Sequence, residues 1–478
     1  MTAGVSKLDN MAFTSCGGWY DKREMERTRR GLRSLGALVC LSVLAAACGV
    51  GGGGADDQVY PLKVDPGGRY LVDRRGNPFL IIGDAPQALM VNASVGEAEI
   101  LLANRASHGF NTVWIMLVCN AYSGGRADAS TFDGLTPFTA GSDLTTPREA
   151  YFARCDEIIR AAAGHGLNVI LDPVDTGGFM PVLRQNGLEK CRAYGRYLGN
   201  RYADFDNIVW MSGSDFQSWR TASDNALVKA VAEGIRETDS RHVHTLQLDY
   251  FVSSSLDNGA WADLVTLNAA YTYYPAYAEV LEGYNRTPAV PVFLIESDYE
   301  GENGADAERL RRQEYWSLLS GACGHVFGNA YVWPVRTGWQ SNLDTPGVVQ
   351  FGYCRDLFAS RPWQTLVPDQ SHDLVTAGYG TYWSGGTPSS GISQNDYVAA
   401  AATPDGKLAI VYIPTSRSIT VDLARLAGGV TARWYDPTTG AAQTITGSPF
   451  PNSGPRNFTT PRPHPDGAGD WVLILESL

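Results

Sequence analysis

From about residue 79 to residue 333, short apolar runs alternate with longer stretches of helical periodicity. The runs are Phe79–Gly83, Asn111–Val118, Leu167–Leu171, Asn207–Met211, His244–Leu248, Leu264–Leu267, Pro291–Ile295 and His325–Trp333. Continuous apolar character, without a break at every second residue, reads as strands buried on both faces, as in a parallel sheet. Ser94–His108, Pro147–His165, Leu188–Tyr202, 223–238 and Ala307–Ser320 read as the helices between them. Ser94 is placed as an N-cap and Gly166 as a C-terminal stop. Eight such units in roughly 270 residues predict a closed (β/α)₈ TIM barrel of the α/β class. An open dinucleotide-binding sheet would need a glycine fingerprint after the first strand, and Gly83-Asp-Ala-Pro is not one.

After about Pro368 the pattern changes. Val398–Ala402, Leu408–Ile413, Ile419–Leu423, Val430–Trp434 and Trp471–Leu475 are short β-rich runs. Turn chemistry separates them at Pro404-Asp-Gly406 and Asp436-Pro-Thr-Thr-Gly440. The expected organisation is a catalytic barrel over 59–367 and a C-terminal antiparallel β-sandwich over 368–478.

The amino-terminal segment is read apart from the fold. Arg27, Arg29, Arg30 and Arg33 precede the apolar Leu35–Ala47, then Cys48-Gly49. This is the grammar of a secretory signal over 1–48, and Leu44-Ala-Ala-Ala-Cys48 has the form of a bacterial lipobox with Cys48 as the lipidation site. Ordinary cleavage is the alternative, since Ala45 stands where Leu is commoner. A transmembrane anchor would need ~20 apolar residues, more than this run has. Residues 49–58 form a Gly-rich tether. The expectation is secretion to the cell envelope, with the membrane touched only through the lipid.

The net charge of −12 argues against nucleic acid and anionic membrane surfaces as partners. The 12 Trp and 23 Tyr suit sugar faces, although most belong to a core. Beyond the amino-terminal segment, Cys119, Cys155, Cys191, Cys323 and Cys354 are scattered and odd in number, so buried thiols are expected rather than disulfides. No CxxC, HExxH or His-x-His pair is read as pointing to a metal, and no motif as pointing to a cofactor. A monomer acting on an oligo- or polysaccharide is expected.

The chemistry sits at the strand ends. Pro291-Val-Phe-Leu-Ile runs into Glu296, and Asn207-Ile-Val-Trp-Met-Ser-Gly-Ser runs into Asp215. A charge at the exit of a buried strand is costly unless it faces a cleft, which is where α/β barrels keep their active sites. Two acids on one rim are what glycoside hydrolysis requires. The bland readings are a helix N-cap for Asp215 and an ion pair with a rim arginine for Glu296. A slip in strand register would give the second role to Asp298, Glu300 or Glu302. Asp84, Asn120 and Asp172 also end strands and are candidates for holding sugar hydroxyls, or else turn caps. Tyr271 or Tyr273 is placed to donate to Glu296, and Trp333 to lie beneath the sugar. His325 is too deep in its strand to act.

These residues resemble a known family. Pro78-Phe-Leu-Ile-Ile-Gly-Asp84, Tyr151-Phe-Ala-Arg-Cys-Asp-Glu-Ile-Ile159 and Tyr197-Leu-Gly-Asn-Arg-Tyr202 are similar to stretches of glycoside hydrolase family 140, the apiosidase-like barrels. So are the Asp215 and Glu296 segments, and Tyr315-Trp-Ser-Leu-Leu-Ser-Gly-Ala322 with Gly324-His-Val-Phe-Gly-Asn329. Trp434-Tyr-Asp-Pro-Thr-Thr-Gly440 resembles the collagen-binding-type β-domain often joined to that family. The resemblance implies retaining hydrolysis, with Asp215 as acid/base and Glu296 as nucleophile. Pro86-Gln87 departs from the Trp that many relatives carry there. Apiose-bearing pectin side chains are implied by family alone. Alternatives are the same machinery on an arabinoside or β-glucan, or a non-catalytic surface glycan-binding protein. The β-domain is read as a brace for the barrel, or else as a polysaccharide binder using Tyr379 or Trp383.

Overall fold

The computed structural model describes residues 59–250, 252–382 and 390–477; Cys48 and Trp383 lie outside them. Eight parallel strands form the barrel: β1 Ile81–Asp84, β2 Thr112–Met116, β3 Asn168–Asp172, β4 Ile208–Gly213, β5 His244–Gln247, β6 Asn268–Thr272, β7 Val292–Glu296 and β8 Gly324–Phe327. Hydrogen-bonded neighbours run from β5 back through β1 to β8, β7 and β6. The backbone N–H of Thr266, just before β6, donates to the His244 carbonyl at 2.9 Å and closes the ring. Each strand is buried along its whole length, which accounts for the continuous apolar runs.

The helices on the outside are α1 Val95–Ser107, α2 Glu149–Gly164, α3 Thr176–Tyr202, α4 Ala222–Thr238, α5 Ala276–Tyr284, α6 Ala307–Leu319 and α7 Pro346–Ala359. Ser94 caps α1 in a full capping box with Glu97, an arrangement worth about 1 kcal/mol. The structure departs from expectation at three places. Helix α3 begins twelve residues before Leu188, because Asp175 caps an extra segment that breaks at Gly187 (φ 71°). Strand β6 is Asn268–Thr272 rather than Leu264–Leu267; the latter residues turn back onto Trp261, whose carbonyl accepts from Leu264 and Val265. Strand β8 ends at Phe327, so Trp333 lies in the loop beyond it.

Two further sheets follow the barrel. The larger includes β9 Ala399–Ala402, β10 Leu408–Ile413, β12 Val430–Tyr435 and β14 Trp471–Ser477; the smaller includes β11 Ser418–Asp422 and β13 Pro455–Thr459. Alternation along β10 divides the packing. Ala409, Val411 and Ile413 face the smaller sheet with Ile419 and Val421, while Leu408, Ile410 and Tyr412 pack with Tyr315, Trp316 and Phe351 of the barrel helices. Tyr315 stacks flat on Tyr412 with ring centroids 4.8 Å apart. Arg311 forms a buried bidentate pair with Asp470 at 2.8 and 2.7 Å. The barrel and the β-domain from Val59 onward make one compact unit. All five described cysteines are free and buried.

Candidate active site

Asp215 and Glu296 enter the barrel mouth from β4 and β7, and both are buried. Asp215 follows an unusual turn: Gly213, Ser214 and Asp215 all have positive φ, at 84°, 103° and 46°. Two non-glycine residues in that region are strained, and such strain persists only where surroundings enforce it. Here they do. A Cβ on Gly213 would sit 2.2 Å from the Gln247 carbonyl. The Ser214 carbonyl accepts from Thr176 Oγ1 at 2.6 Å and from the Gly177 N–H at 2.9 Å. The Asp215 N–H donates to Gln247 Oε1 at 2.9 Å.

Gln247, at the end of β5, ties the two acids together. Its Nε2 donates to Glu296 Oε2 at 2.8 Å while its Oε1 holds the Asp215 backbone. Phenols supply the remaining contacts. Tyr122 and Tyr271 donate to the two carboxylate oxygens of Asp215 at 2.7 and 2.9 Å. Tyr273 donates to Glu296 Oε1 at 3.3 Å, and the Tyr271 and Tyr273 hydroxyls lie 3.2 Å apart. Asp215 is therefore not a helix cap, and Glu296 is not held by an arginine.

Tyr271 is a correction in part: of the two tyrosines expected to donate to Glu296, Tyr273 does so, whereas Tyr271 donates to Asp215. An irregularity between Ala270 and Tyr271 puts Tyr271 in register with Glu296, and the ring then reaches across to Asp215. Asp84 is a second correction. It is fully buried, and its carboxylate accepts from Arg105 Nε of α1 at 2.6 Å, so it does not reach a sugar. Asp172 is a third; it too is fully buried and caps the turn at Val174 N. Asn120 also works as a cap, accepting from the Tyr122 N–H at 2.9 Å, and so orients the turn that delivers Tyr122 to Asp215.

The three later carboxylates are engaged elsewhere. Asp298 pairs with Arg309 at 3.1 Å, and Glu300 accepts from the Gly347 N–H at the start of α7 at 2.9 Å. Glu302 accepts from the half-buried Trp333 indole at 2.6 Å, and its charge acts on Glu296. Near them, Gln87 donates to Tyr299 at 3.0 Å. His242 and His244 have an H-x-H spacing, but their rings turn to Asp239 and Ser212 respectively. Among the described residues no group of three or more His, Cys, Asp or Glu side chains is arranged to hold a metal.

Burial pushes both catalytic candidates upward in pKa. For Glu296 the neighbouring Asp215 charge adds to burial, while the Gln247 amide opposes it. For Asp215 the two phenols oppose burial without overcoming it. Such a pair titrates as a unit, with one proton held between the carboxyls over an intermediate range. Replacing Gln247 by Ala should raise the Glu296 pKa by removing a donor to its charged form. Activity needs that charge, so the acid limb of the kcat/KM profile should move to higher pH. A loss of about ten- to a hundredfold should accompany it, the scale of one charge-assisted hydrogen bond. An unmoved acid limb would contradict this role for Gln247.

Comparisons with known proteins place the fold in a family. Residues 65–365 match the family model described as "Apiosidase-like, catalytic domain". The chain belongs to the apiosidase-like family. It is a glycoside hydrolase. Residues 390–476 match a model described as "Putative collagen-binding domain of a collagenase". A solved structure titled "Glycoside hydrolase" is similar at TM-score 0.73 and 23% identity, covering 87% of this chain and 96% of the other. A glycoside hydrolase family 5 structure from Bacteroides vulgatus is similar at TM-score 0.74 and 22% identity, with 87% and 93% covered. At these identities the structures establish the shared fold. No curated protein matches the chain.

Proposed function

We propose that this glycosidase works by double displacement with retention, and that it trims side-chain sugars from polysaccharides outside the cell. The observation that carries the mechanism is the Gln247 amide bound at one end to Asp215 and at the other to Glu296. That amide holds the Asp215 backbone N–H and the Glu296 carboxylate, so it fixes both acids on one rim; retention, with carboxyls about 5–5.5 Å apart, is what the family implies.

Glu296 attacks the anomeric carbon as the glycosidic C–O bond breaks, and Asp215 gives its proton to the departing oxygen. Water then displaces Glu296 from the sugar, and Asp215 takes the proton that the water gives up. Burial favours the protonated form of Asp215 that the first step consumes. Tyr122 and Tyr271 stabilise the carboxylate left behind. Trp333, fixed by Glu302, is offered as an apolar surface for the sugar ring.

For the substrate, the family favours apiose on pectin side chains. Incubation with pectin, arabinan and β-glucan fragments should release apiose from the first; release of arabinose or glucose instead would move the specificity to another linkage. No release from any of them would place the linkage on another class of polysaccharide. The location rests on the amino-terminal sequence. The mature chain should begin at lipidated Cys48 and sediment with membranes, and Cys48→Ala should release soluble protein. An unmodified mature terminus elsewhere, found by intact mass, would refute the anchor.

A further inference from the structure

A cleft of about 800 Å³ opens between helix α5 and the segment leading into the β-domain. That is within the roughly 300–1,000 Å³ of small-molecule sites. It shares a strand with the catalytic centre but faces away from it. Tyr271 and Tyr273 reach the two acids, whereas their alternate neighbours Thr272 and Tyr274 line the cleft.

Two features point to a ligand. First, Glu279 of α5 is 5% exposed, lines the cleft, and has a buried Oε1 without any hydrogen-bond partner. Leaving a buried carboxyl oxygen unpaired costs free energy that a bound hydroxyl would recover. Second, the cleft carries aromatic rings, packed on Tyr277 of α5. Tyr382 and Tyr397 both line the cleft, their rings 5.3 Å apart at a near-right angle, with Tyr382 exposed. Asn285 and Gln370, whose side-chain amides bond to each other at 2.8 Å, complete the rim.

We propose that this cleft is a second, non-catalytic sugar site, holding another residue of the polysaccharide on which the Glu296 centre acts. The inference rests on the polysaccharide reading above. An aromatic ring suits the C–H face of a sugar, and carboxyl and amide groups suit its hydroxyls. Burial, with the nearby Asp257 charge, pushes Glu279 up to about 8. The shift favours the protonated carboxyl, whose hydroxyl and carbonyl suit a neutral sugar; Glu282 also lines the cleft.

The test uses the full chain with Glu296→Ala to stop turnover, electrophoresed through gels containing pectin, arabinan or β-glucan. One polymer should retard the parent, and Tyr382→Ala should weaken that retention by about five- to tenfold. Glu279→Leu should weaken it similarly, and Glu279→Gln, which keeps a donor and an acceptor, should restore it. With Glu296 intact, Tyr382→Ala should raise KM on that polymer and leave kcat/KM on a small aryl glycoside unchanged. Equal retention of Tyr382→Ala and parent would overturn the site even if the native enzyme releases sugar. Retention that responds to Glu279→Gln but not to Tyr382→Ala would also overturn it, since a cation would then be the ligand. Tyr382-dependent retention without sugar release from any polymer would overturn the substrate reading and leave the cleft standing.

Discussion

Glu296→Ala should abolish turnover on every substrate, by at least about 10⁴-fold, because no other group can form the glycosyl intermediate. Asp298, Glu300 and Glu302 cannot replace it, being committed to Arg309, the start of α7 and Trp333. Asp215→Ala should behave differently. On substrates with poor leaving groups it should lose about 10²–10⁴-fold, the usual contribution of a general acid. With an activated aryl glycoside the first step needs little proton transfer, so the glycosyl-enzyme should accumulate and produce a burst. The alkaline limb of the pH profile should vanish with the acid. Equal losses for both variants on the activated substrate would refute the division of roles.

The second large effect lies far from the chemistry. Arg311→Ala should destabilise the whole compact unit by about 3–5 kcal/mol, because it leaves the fully buried Asp470 without its charge partner. Gln350 and Tyr412, which bond to this pair at 2.6 and 3.2 Å, would not neutralise the remaining carboxylate. Thermal unfolding should show a single transition at lower temperature, since α6 is buried between the barrel and the β-domain. Turnover of a soluble aryl glycoside per folded molecule should not change. Two separate transitions, with only the later residues affected, would show that the β-domain is an independent appendage rather than a brace.

Much of the barrel was legible because strands covered on both faces produce continuous apolar runs, here alternating with helical stretches. Helices α5 and α7 escaped for the opposite reason. Both of α7's sides are covered, one by the barrel and one by the β-domain, so Pro346-Gly-Val-Val lacks a clean polar stripe. Asp215 and Glu296 were readable as charges at strand exits. The same rule overreached at Asp84 and Asp172, since position at a strand end does not say which way a side chain turns. Arg105, the eleventh residue of α1, gave no local sign of its pairing with Asp84. Tyr122 and Gln247 were missed because their roles depend on contacts 93 and 49 residues distant. The only available signals were the Asn120 cap two residues before Tyr122, and the polar ending of an otherwise ordinary strand at Gln247.

The central claim, that Glu296 and Asp215 act by double displacement, is tested most directly by the configuration of the first product. Proton NMR, recorded as an aryl glycoside is cleaved and before the free sugar mutarotates, reads that configuration at the anomeric signal. The same anomer as the substrate should appear first. Initial appearance of the opposite anomer would contradict the account, because a single displacement by water has no use for Glu296 as a nucleophile.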